Sequence, residues 1–143
     1  MKIMIFIEGT TFYTRFPMFL FTKYGYKPIG NAVEIVNAWQ GEGHDIYLCS
    51  YVRRGRYKFI KSIIDFYGMK YTEILCRSKG EQYSEIVEQL KPDILIEDDC
   101  KSIGGQKEWC ITNVKDELKV KIKSVIVPEF EGIDGVRIEK EGD

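Results

Sequence analysis

Three consecutive acids follow a short apolar run late in the chain. Ile94–Ile96 is typical of a buried strand, and Glu97, Asp98 and Asp99 leave it together. Carboxylates at one strand end repel one another, and a cation, basic groups or solvation usually offsets that cost. Ligands of open α/β sheets bind just outside the carboxyl ends of the strands. The pattern therefore predicts a metal or phosphate site, with a solvated acidic turn as the alternative.

Further oxygen-bearing side chains follow two other apolar runs. Glu8 and Thr10 come after the first run, and Ser50 follows the second. Hard oxygen ligands of this kind suit Mg²⁺, which is held by one or two carboxylates and keeps several waters. We expect Asp98 as the first ligand, with Asp99 beside it and the carboxylate or carbonyl of Glu8 as a third group.

Cations lie near the same strand ends. Arg53 and Arg54 follow Ser50 and precede a predicted helix, where backbone amides favour anions. Guanidinium groups bind phosphate through paired donors, so these arginines could hold a phosphate-bearing substrate; solvated surface side chains are the alternative. His44, the one histidine, precedes the second strand and so lies at the opposite edge of the sheet. We predict that it is not catalytic.

Five apolar runs alternate with amphipathic segments. The runs predict strands that end near residues 7, 49, 75, 96 and 127. Apolar residues at i, i+3, i+4 and i+7 mark helices over Ala32–Trp39, Ile60–Tyr67 and Tyr83–Leu90, and a shorter helix is expected over 113–121. Such alternation predicts right-handed βαβ units. The expected fold class is a three-layer α/β Rossmann-like domain, with a parallel sheet of about five strands and helices on both faces.

Two segments do not fit the alternation. Residues 11–30 are rich in aromatic side chains, and Pro17 disfavours one uninterrupted helix there. This density indicates a lid over the site, an oligomer contact, or a loop folded back into the core. The Gly- and acid-rich stretch 131–143 is expected to be a surface tail. With these segments included, the 143 residues are expected to form one domain.

The composition is that of an ordinary soluble globular protein. Hydrophobic residues make up 44% and charged residues 30%. The net charge of -1 gives no overall attraction to nucleic acid or acidic membranes, so neither is expected as a partner. Because the sequence shows no signal-peptide or membrane-spanning pattern, we expect a cytoplasmic location. The four cysteines lack CxxC spacing and are expected to be small buried hydrophobes, with a soft-metal cluster as the alternative.

From residue 1 to about residue 127, these motifs resemble the haloacid dehalogenase-like (HAD) hydrolase superfamily. Phe-Ile-Glu-Gly-Thr, which ends at Thr10, resembles the family's first motif, Asp-x-Asp-Gly-Thr. The run that ends at Ser50 resembles the second motif, and Asp93–Asp99 resembles the fourth. Lys79 lies where the family places its third-motif lysine.

The resemblance implies a phosphohydrolase-type site at one edge of the sheet, with Mg²⁺ as cofactor. Glu8, Ser50 and Lys79 would then be catalytic, and Thr10 would join Ser50 and Lys79 in binding phosphate. The substrate would be a phosphate-containing small molecule or protein. The chain lacks room for a large cap domain, and capless relatives commonly complete their site by oligomerising. A homodimer through residues 12–26 is therefore one expectation.

The first motif departs from the family pattern. Phe6 occupies the place of the nucleophilic aspartate, and Glu8 that of the general acid/base. Family phosphatases use that aspartate to form an aspartyl-phosphate and to ligate Mg²⁺, and a phenylalanine does neither. A shifted register, with Glu8 as nucleophile and Thr10 two positions beyond, restores a carboxylate but loses the Gly-Thr match.

Three functions therefore stay open. The first is a metal-binding, HAD-like protein of phosphohydrolase type, whose hydrolysis is weak at most and uses metal-activated water with Glu8 as base. The second is a non-catalytic module that binds a phosphate-containing ligand or a protein on the same fold. A remote third is a receiver-like phosphoacceptor domain, because Ile-Leu-Ile-Glu-Asp-Asp resembles the first strand of a response regulator. That strand should open the domain, yet here it begins at residue 94.

Overall fold

The computed structural model describes residues 1–139 of the chain. Its elements in chain order are β1 (Lys2–Phe6), β2 (Phe12–Thr14), β3 (Tyr26–Pro28), α1 (Ala32–Gly41), β4 (Asp45–Arg53), α2 (Tyr57–Tyr67), β5 (Glu73–Arg77), α3 (Tyr83–Leu90), β6 (Ile94–Asp98), α4 (Asp116–Lys119) and β7 (Lys123–Val127). Short 3₁₀ turns lie in the connections. Within residues 1–139, no helix has the length and hydropathy needed to cross a bilayer.

Five strands form one parallel sheet in the order β5-β4-β1-β6-β7. The central strand β1 pairs with β4 on one side, where Phe6 lies opposite Cys49, and with β6 on the other, where Ile5 lies opposite Ile96. The chain runs outward from β1 to β5 and then returns to β6, so the strand order reverses between β1 and β6. Ligands of open α/β sheets bind at such a reversal, outside the carboxyl ends of the strands.

Each face of the sheet buries its own apolar layer. Because side chains alternate along a strand, Ile3 and Ile5 face the layer built with α1 and α2, while Met4 faces the layer built with α3 and α4. The helices contribute the apolar positions that their spacing predicted, including Val36, Ile60, Ile63, Ile64, Ile86 and Val87. The three-layer α/β Rossmann-like fold is therefore confirmed.

The aromatic-rich segment is a hairpin that divides its side chains between core and surface. Strands β2 and β3 pair antiparallel, and Phe12 and Tyr26 on them are buried in the main core. Phe16 and Phe21 in the connection between the two strands are 76% and 77% exposed. The segment is thus partly folded into the core. A lid or homodimer role for its exposed part stays a prediction.

The carboxyl-terminal tail differs from the expectation. Ile133 and Ile138 are buried in the main core, and the Asp134 carboxylate accepts a 2.9 Å hydrogen bond from the backbone N–H of Asn31. The stretch 131–139 therefore packs against the domain instead of leaving it. Residues 140–143, the rest of the predicted tail, lie outside the described residues.

Two other element boundaries differ. Strand β4 runs four residues past the predicted end at Cys49, to Arg53, so Ser50 lies inside the strand. The helix expected over 113–121 is reduced to the four residues of α4, because a 3₁₀ turn over Ile111–Asn113 comes first.

Candidate functional site

A cavity of about 480 Å³ opens at the carboxyl edge of the sheet. Glu8 and Asp98, both expected in the site, line it. Phe6, Arg77 and Tyr83 also line it, and none of these three was expected to bind ligand. A cavity of this size suits a small organic ligand.

Glu8 is held on one wall of this cavity by three hydrogen-bond donors. Its Oε2 accepts from the Tyr26 hydroxyl and the Ser50 hydroxyl, and its Oε1 accepts from the backbone N–H of Tyr51, each at 2.7 Å. Burial raises the pKa of Glu8, and the three donors oppose that shift in part. The carboxyl thus joins β1 to β3 and β4, and its acceptor oxygens are already engaged.

Thr10 and Ser50 face inward, away from any ligand. Both side chains are fully buried, and neither is among the described residues that line the cavity. The Thr10 hydroxyl donates to Asp98 Oδ2 at 3.2 Å, and the Ser50 hydroxyl donates to Glu8 while accepting from the backbone N–H of Val52. Phosphate binding by either hydroxyl is not supported by this placement, since each already has a protein partner.

The three consecutive acids do not stay together, because β6 extends to Asp98 and its side chains alternate. Glu97 points into the α3 layer, where its two oxygens accept the backbone N–H groups of Cys110 and Ile111 at 2.6 and 3.1 Å. Asp99 lies in the following turn, and its Oδ1 accepts from the N–H groups of Lys101 and Glu129. Hydrogen bonds satisfy these oxygens without a cation, while repulsion from Asp98 still helps to raise the pKa of Glu97.

Asp98 packs directly against the turn that follows β1. Its Oδ1 accepts the backbone N–H of Cys100 at 2.8 Å. A Cβ atom on Gly9, whose φ is +83°, would come within 2.7 Å of Asp98 Oδ2. Glycine is thus required at this position both by its left-handed backbone and by the close approach of the carboxylate. Residues 8 to 10 and Asp98 therefore do meet at one rim, as the strand-end rule predicted.

The side chains at this rim do not fit a resident Mg²⁺ ion. Among residues 1–139, no group of three or more His, Cys, Asp or Glu side chains is placed to hold a metal. Phe6 supplies no oxygen, and the oxygens of Glu8, Asp98 and Asp99 accept hydrogen bonds from backbone and hydroxyl donors. The predicted three-group site of Asp98, Asp99 and Glu8 is not formed, because Asp99 turns toward Glu129 and Glu8 toward Ser50.

A second group of residues that line the cavity is aromatic and cationic. The rings of Phe6 and Tyr83 meet edge to face with centroids 5.1 Å apart, and the Arg77 guanidinium carbon lies 4.2 Å from the Tyr83 centroid. Within the described residues, Nε of Arg77 is buried and has no hydrogen-bond partner. Burial raises the pKa of the Tyr83 phenol, which therefore stays protonated.

Arg77 was missed by the sequence reasoning, although a signal was present. It follows the apolar run of β5 directly, as Ser50 and Asp98 follow theirs, and the rule that selected those residues applies to it equally. The family resemblance selected Lys79 instead, two residues later in the chain. Among the described residues that line the cavity, Arg77 is the one cation.

The other predicted cations lie away from the cavity. Lys79, Arg53 and Arg54 are exposed, and none belongs to the described cavity lining. Arg53 pairs with Arg77 in the register of β4 and β5, yet only the Arg77 side chain reaches the cavity. Roles for these three in binding or catalysis stay predictions. His44 contacts the amino terminus and Glu42, before β4 begins.

The cysteines are free thiols, and three of the four are buried. Burial raises the pKa of Cys49 and raises that of Cys100 to about 12, so these thiols are protonated at neutral pH. Cys49, Cys76 and Cys110 pack in the two apolar layers as expected, whereas Cys100 is only partly buried and lines the cavity.

Three solved structures share this fold. A chain of the Pnkp1/Rnl/Hen1 RNA repair complex is similar with a TM-score of 0.61 and 15% identity, over 89% of this chain and 43% of that one. A chain in a second structure of the Pnkp1/Rnl/Hen1 complex gives 0.63 and 14%, over 90% and 47%. D,D-heptose 1.7-bisphosphate phosphatase from B. bronchiseptica, complexed with magnesium and phosphate, gives 0.54 and 8%, over 91% and 93%.

These likenesses support the fold and leave activity open. At 8% to 15% identity, the three neighbours show the α/β fold alone. The chain spans less than half the length of the two chains from the repair complex. No family model and no curated protein matches the sequence.

Proposed function

We propose that this HAD-like domain binds a phosphate group in the cavity at the carboxyl edge of its sheet, with Arg77 as the anchoring cation, and that it works without aspartyl-phosphate chemistry. The observation that carries the proposal is that Arg77 lines the cavity and that its buried Nε has no hydrogen-bond partner in the described residues. A buried N–H donor is costly while it lacks an acceptor, and a phosphate oxygen supplies an acceptor together with the opposite charge.

The placement of the carboxylates around the cavity is compatible with an anionic ligand. We call Glu8, Glu97, Asp98 and Glu129 the acid wall, and Arg77 with Phe6 and Tyr83 the arginine wall. Each acid-wall carboxylate accepts at least two hydrogen bonds, including those that Glu129 receives from the N–H and hydroxyl of Ser102. These neutral donors satisfy the carboxylate oxygens without cancelling their charge, and burial raises the pKa of Glu8, Glu97 and Asp98, which favours their uncharged forms.

Phe6 is the reason to favour binding over covalent catalysis. A nucleophile at this position would have to face the cavity beside Glu8, and here an aromatic ring packs on Tyr83 instead. The phenyl side chain of Phe6 cannot form a phosphoenzyme.

The test is isothermal titration with inorganic phosphate on wild type and Arg77→Met. Loss of a charge-assisted hydrogen bond is worth roughly 1.5–3 kcal/mol, so the variant should bind about 10- to 100-fold more weakly. Lys58→Met and Lys121→Met are matched controls, because both remove an exposed cation outside the described cavity lining, and they should stay within about twofold of wild type. Equal affinity in wild type and Arg77→Met would refute the proposal.

Slow hydrolysis is the second candidate, favoured by one observation. Glu8 lines the cavity and burial raises its pKa, which is the direction that favours a carboxyl acting as a general acid. Turnover of p-nitrophenyl phosphate and of a phosphometabolite panel should be absent if the domain only binds. Turnover that disappears in Glu8→Gln would establish hydrolysis instead.

A further inference from the structure

The cavity is lined by more aromatic surface than a bare phosphate ion needs. Five rings contribute to it: Phe6, Phe19, Tyr51, Tyr83 and Phe130. Phe6 packs on Tyr83, which lies beside Arg77. Tyr51 lies in β4, and Phe130 follows β7; these two strands are on opposite sides of β1 in the sheet order. Tyr51 and Phe130 are 51% and 38% exposed, and we call the part of the lining that these two solvent-accessible residues form the mouth of the cavity.

Phe130 adopts an unfavourable backbone conformation at this mouth. Its φ is +64°, a left-handed value that a bulky residue rarely takes. A 2.9 Å hydrogen bond from its N–H to the Gly9 carbonyl and an edge contact with Tyr13 at 5.2 Å hold it there. Strain of this kind concentrates at ligand-binding positions, where surrounding contacts enforce it.

Tyr51 is fixed by the acid wall. Its backbone N–H donates to Glu8 Oε1, and its ring centroid lies 6.2 Å from that of Phe19. The Glu8 carboxylate therefore positions the backbone of Tyr51, and the neighbouring ring limits where its side chain goes. Tyr51 and Phe130 line the same cavity, and their backbones are anchored at the adjacent residues Glu8 and Gly9.

Resting on the phosphate-binding function above, we propose that the ligand is a phosphate monoester that carries a planar aromatic ring, with Tyr51 and Phe130 contacting that ring. The phosphate pairs with Arg77 beside Tyr83, and the ring lies at the mouth against the two side chains. The cavity volume of about 480 Å³ accommodates both parts of such a molecule. An aryl group and a nucleobase present the same flat π-face, so both belong to this class.

The test compares affinities by titration calorimetry for inorganic phosphate, glycerol phosphate, phenyl phosphate and adenosine 5′-monophosphate. Stacking of one ring on an aromatic side chain is worth about 5- to 100-fold in affinity, so the two ring-bearing esters should bind that much more tightly than glycerol phosphate. A preference for phenyl phosphate or for the nucleotide then shows which kind of ring the mouth selects.

Two variants link that preference to the named side chains. In Tyr51→Leu and in Phe130→Asn, the ratio of affinity for phenyl phosphate over glycerol phosphate should fall toward one. Asparagine tolerates a left-handed φ, so Phe130→Asn should fold, which its unfolding temperature verifies. Tyr24→Leu removes a ring that is 73% exposed and lies outside the described cavity lining, and it should keep the wild-type ratio.

The outcomes separate this inference from the function on which it rests. Phosphate binding that depends on Arg77, without any advantage for ring-bearing esters, overturns the ring proposal alone. An advantage that persists in both Tyr51→Leu and Phe130→Asn also overturns it. Failure of every phosphate compound to bind overturns the proposed function as well.

Discussion

The acid wall and the arginine wall differ in whether their charged groups already have hydrogen-bond partners in the protein. On the acid wall, Glu8 alone receives three hydrogen bonds of 2.7 Å, and Glu97 receives two from buried backbone N–H groups. On the arginine wall, Nε of Arg77 receives no partner within the described residues. The acids therefore hold segments of the chain together, whereas the arginine is available to a ligand. The sequence alone does not distinguish these two roles.

This difference separates stability from binding. A carboxylate that satisfies buried donors contributes to folding, because its removal leaves those donors without acceptors. A guanidinium that lacks a carboxylate partner contributes little to folding, since its desolvation is compensated mainly by contact with the Tyr83 ring. Substitutions on the two walls should accordingly have opposite profiles of stability and ligand affinity.

The largest expected effect is the loss of stability in Glu8→Ala. The hydroxyls of Tyr26 and Ser50 and the N–H of Tyr51 would each lose an acceptor, which we expect to lower the unfolding free energy by roughly 3 kcal/mol. Arg77→Met should change it by less than about 1 kcal/mol, because only the contact with Tyr83 is altered. Urea denaturation of both variants measures the difference.

Glu108→Ala is the control for this comparison, since Glu108 also lines the cavity but is exposed. It should stay within about 0.5 kcal/mol of wild type. If Arg77→Met were as destabilising as Glu8→Ala, the division between the walls would not hold.

The second prediction concerns pH and Glu97. Burial raises the pKa of Glu97 from 4.5 to about 7, and the nearby N–H groups of Cys110 and Ile111 oppose the shift in part. Between these values the folded protein keeps a proton that the unfolded chain has released, so stability is fully present below pH 4.5 and falls as pH rises through 7. The Glu8 and Asp98 shifts have the same sign.

Unfolding free energies measured from pH 5 to pH 8 should therefore decline, and Glu97→Gln should flatten the profile. The shift corresponds to about 3 kcal/mol at most for a group that is almost fully buried. The variant has its own cost, because an amide accepts only one of the two N–H bonds well, but that cost does not vary with pH. Parallel profiles for wild type and Glu97→Gln would remove Glu97 from the explanation.

The sequence predicted the layers of the fold well, because apolar spacing reports directly on burial. The spacing of Ile60, Ile63 and Ile64 placed one face of α2 on the sheet, and the run before Glu97 placed β6. Boundaries were less well predicted, since the strands continue through polar residues. Ser50 and Glu97 both appeared to follow a strand, and both lie within one.

The site was predicted in part for the same physical reason. Glu8 and Asp98 were placed at one edge correctly, because parallel strands bring their carboxyl ends together. The partner of Asp99 is the N–H of Glu129, 30 residues away, and local sequence carries no sign of such a contact. The position of Arg77 after an apolar run indicated that it lies at the carboxyl edge of the sheet. That its Nε lacks a partner depends on the surrounding fold and could not be predicted from the sequence.

A smaller effect is expected where the acid wall meets the turn after β1. In Gly9→Ala the new Cβ would approach Asp98 Oδ2 to 2.7 Å at a φ of +83°, and we expect a loss of roughly 2 kcal/mol. When Asp98 is also replaced by Ser, the loss caused by the close approach to Asp98 Oδ2 should disappear. The loss caused by the left-handed φ at residue 9 should remain. A double-mutant cycle measured by urea denaturation separates the two, and strict additivity would show that Asp98 does not restrict this turn.

The smallest expected effect is that of Mg²⁺, and it is the sharpest test of the acid wall. A ligand that binds the folded state raises the unfolding temperature in proportion to its affinity. The oxygens of Glu8, Asp98 and Asp99 already accept hydrogen bonds from the protein, so millimolar MgCl₂ should shift the unfolding temperature by less than about 1 °C. Inorganic phosphate should raise the unfolding temperature measurably in wild type and should not raise it in Arg77→Met. CaCl₂ at the same ionic strength controls for general salt effects. A shift specific to Mg²⁺ that is lost in Asp98→Asn would mean that these carboxylates exchange their protein donors for a metal ion, and the acid wall would then belong to the binding site alongside Arg77.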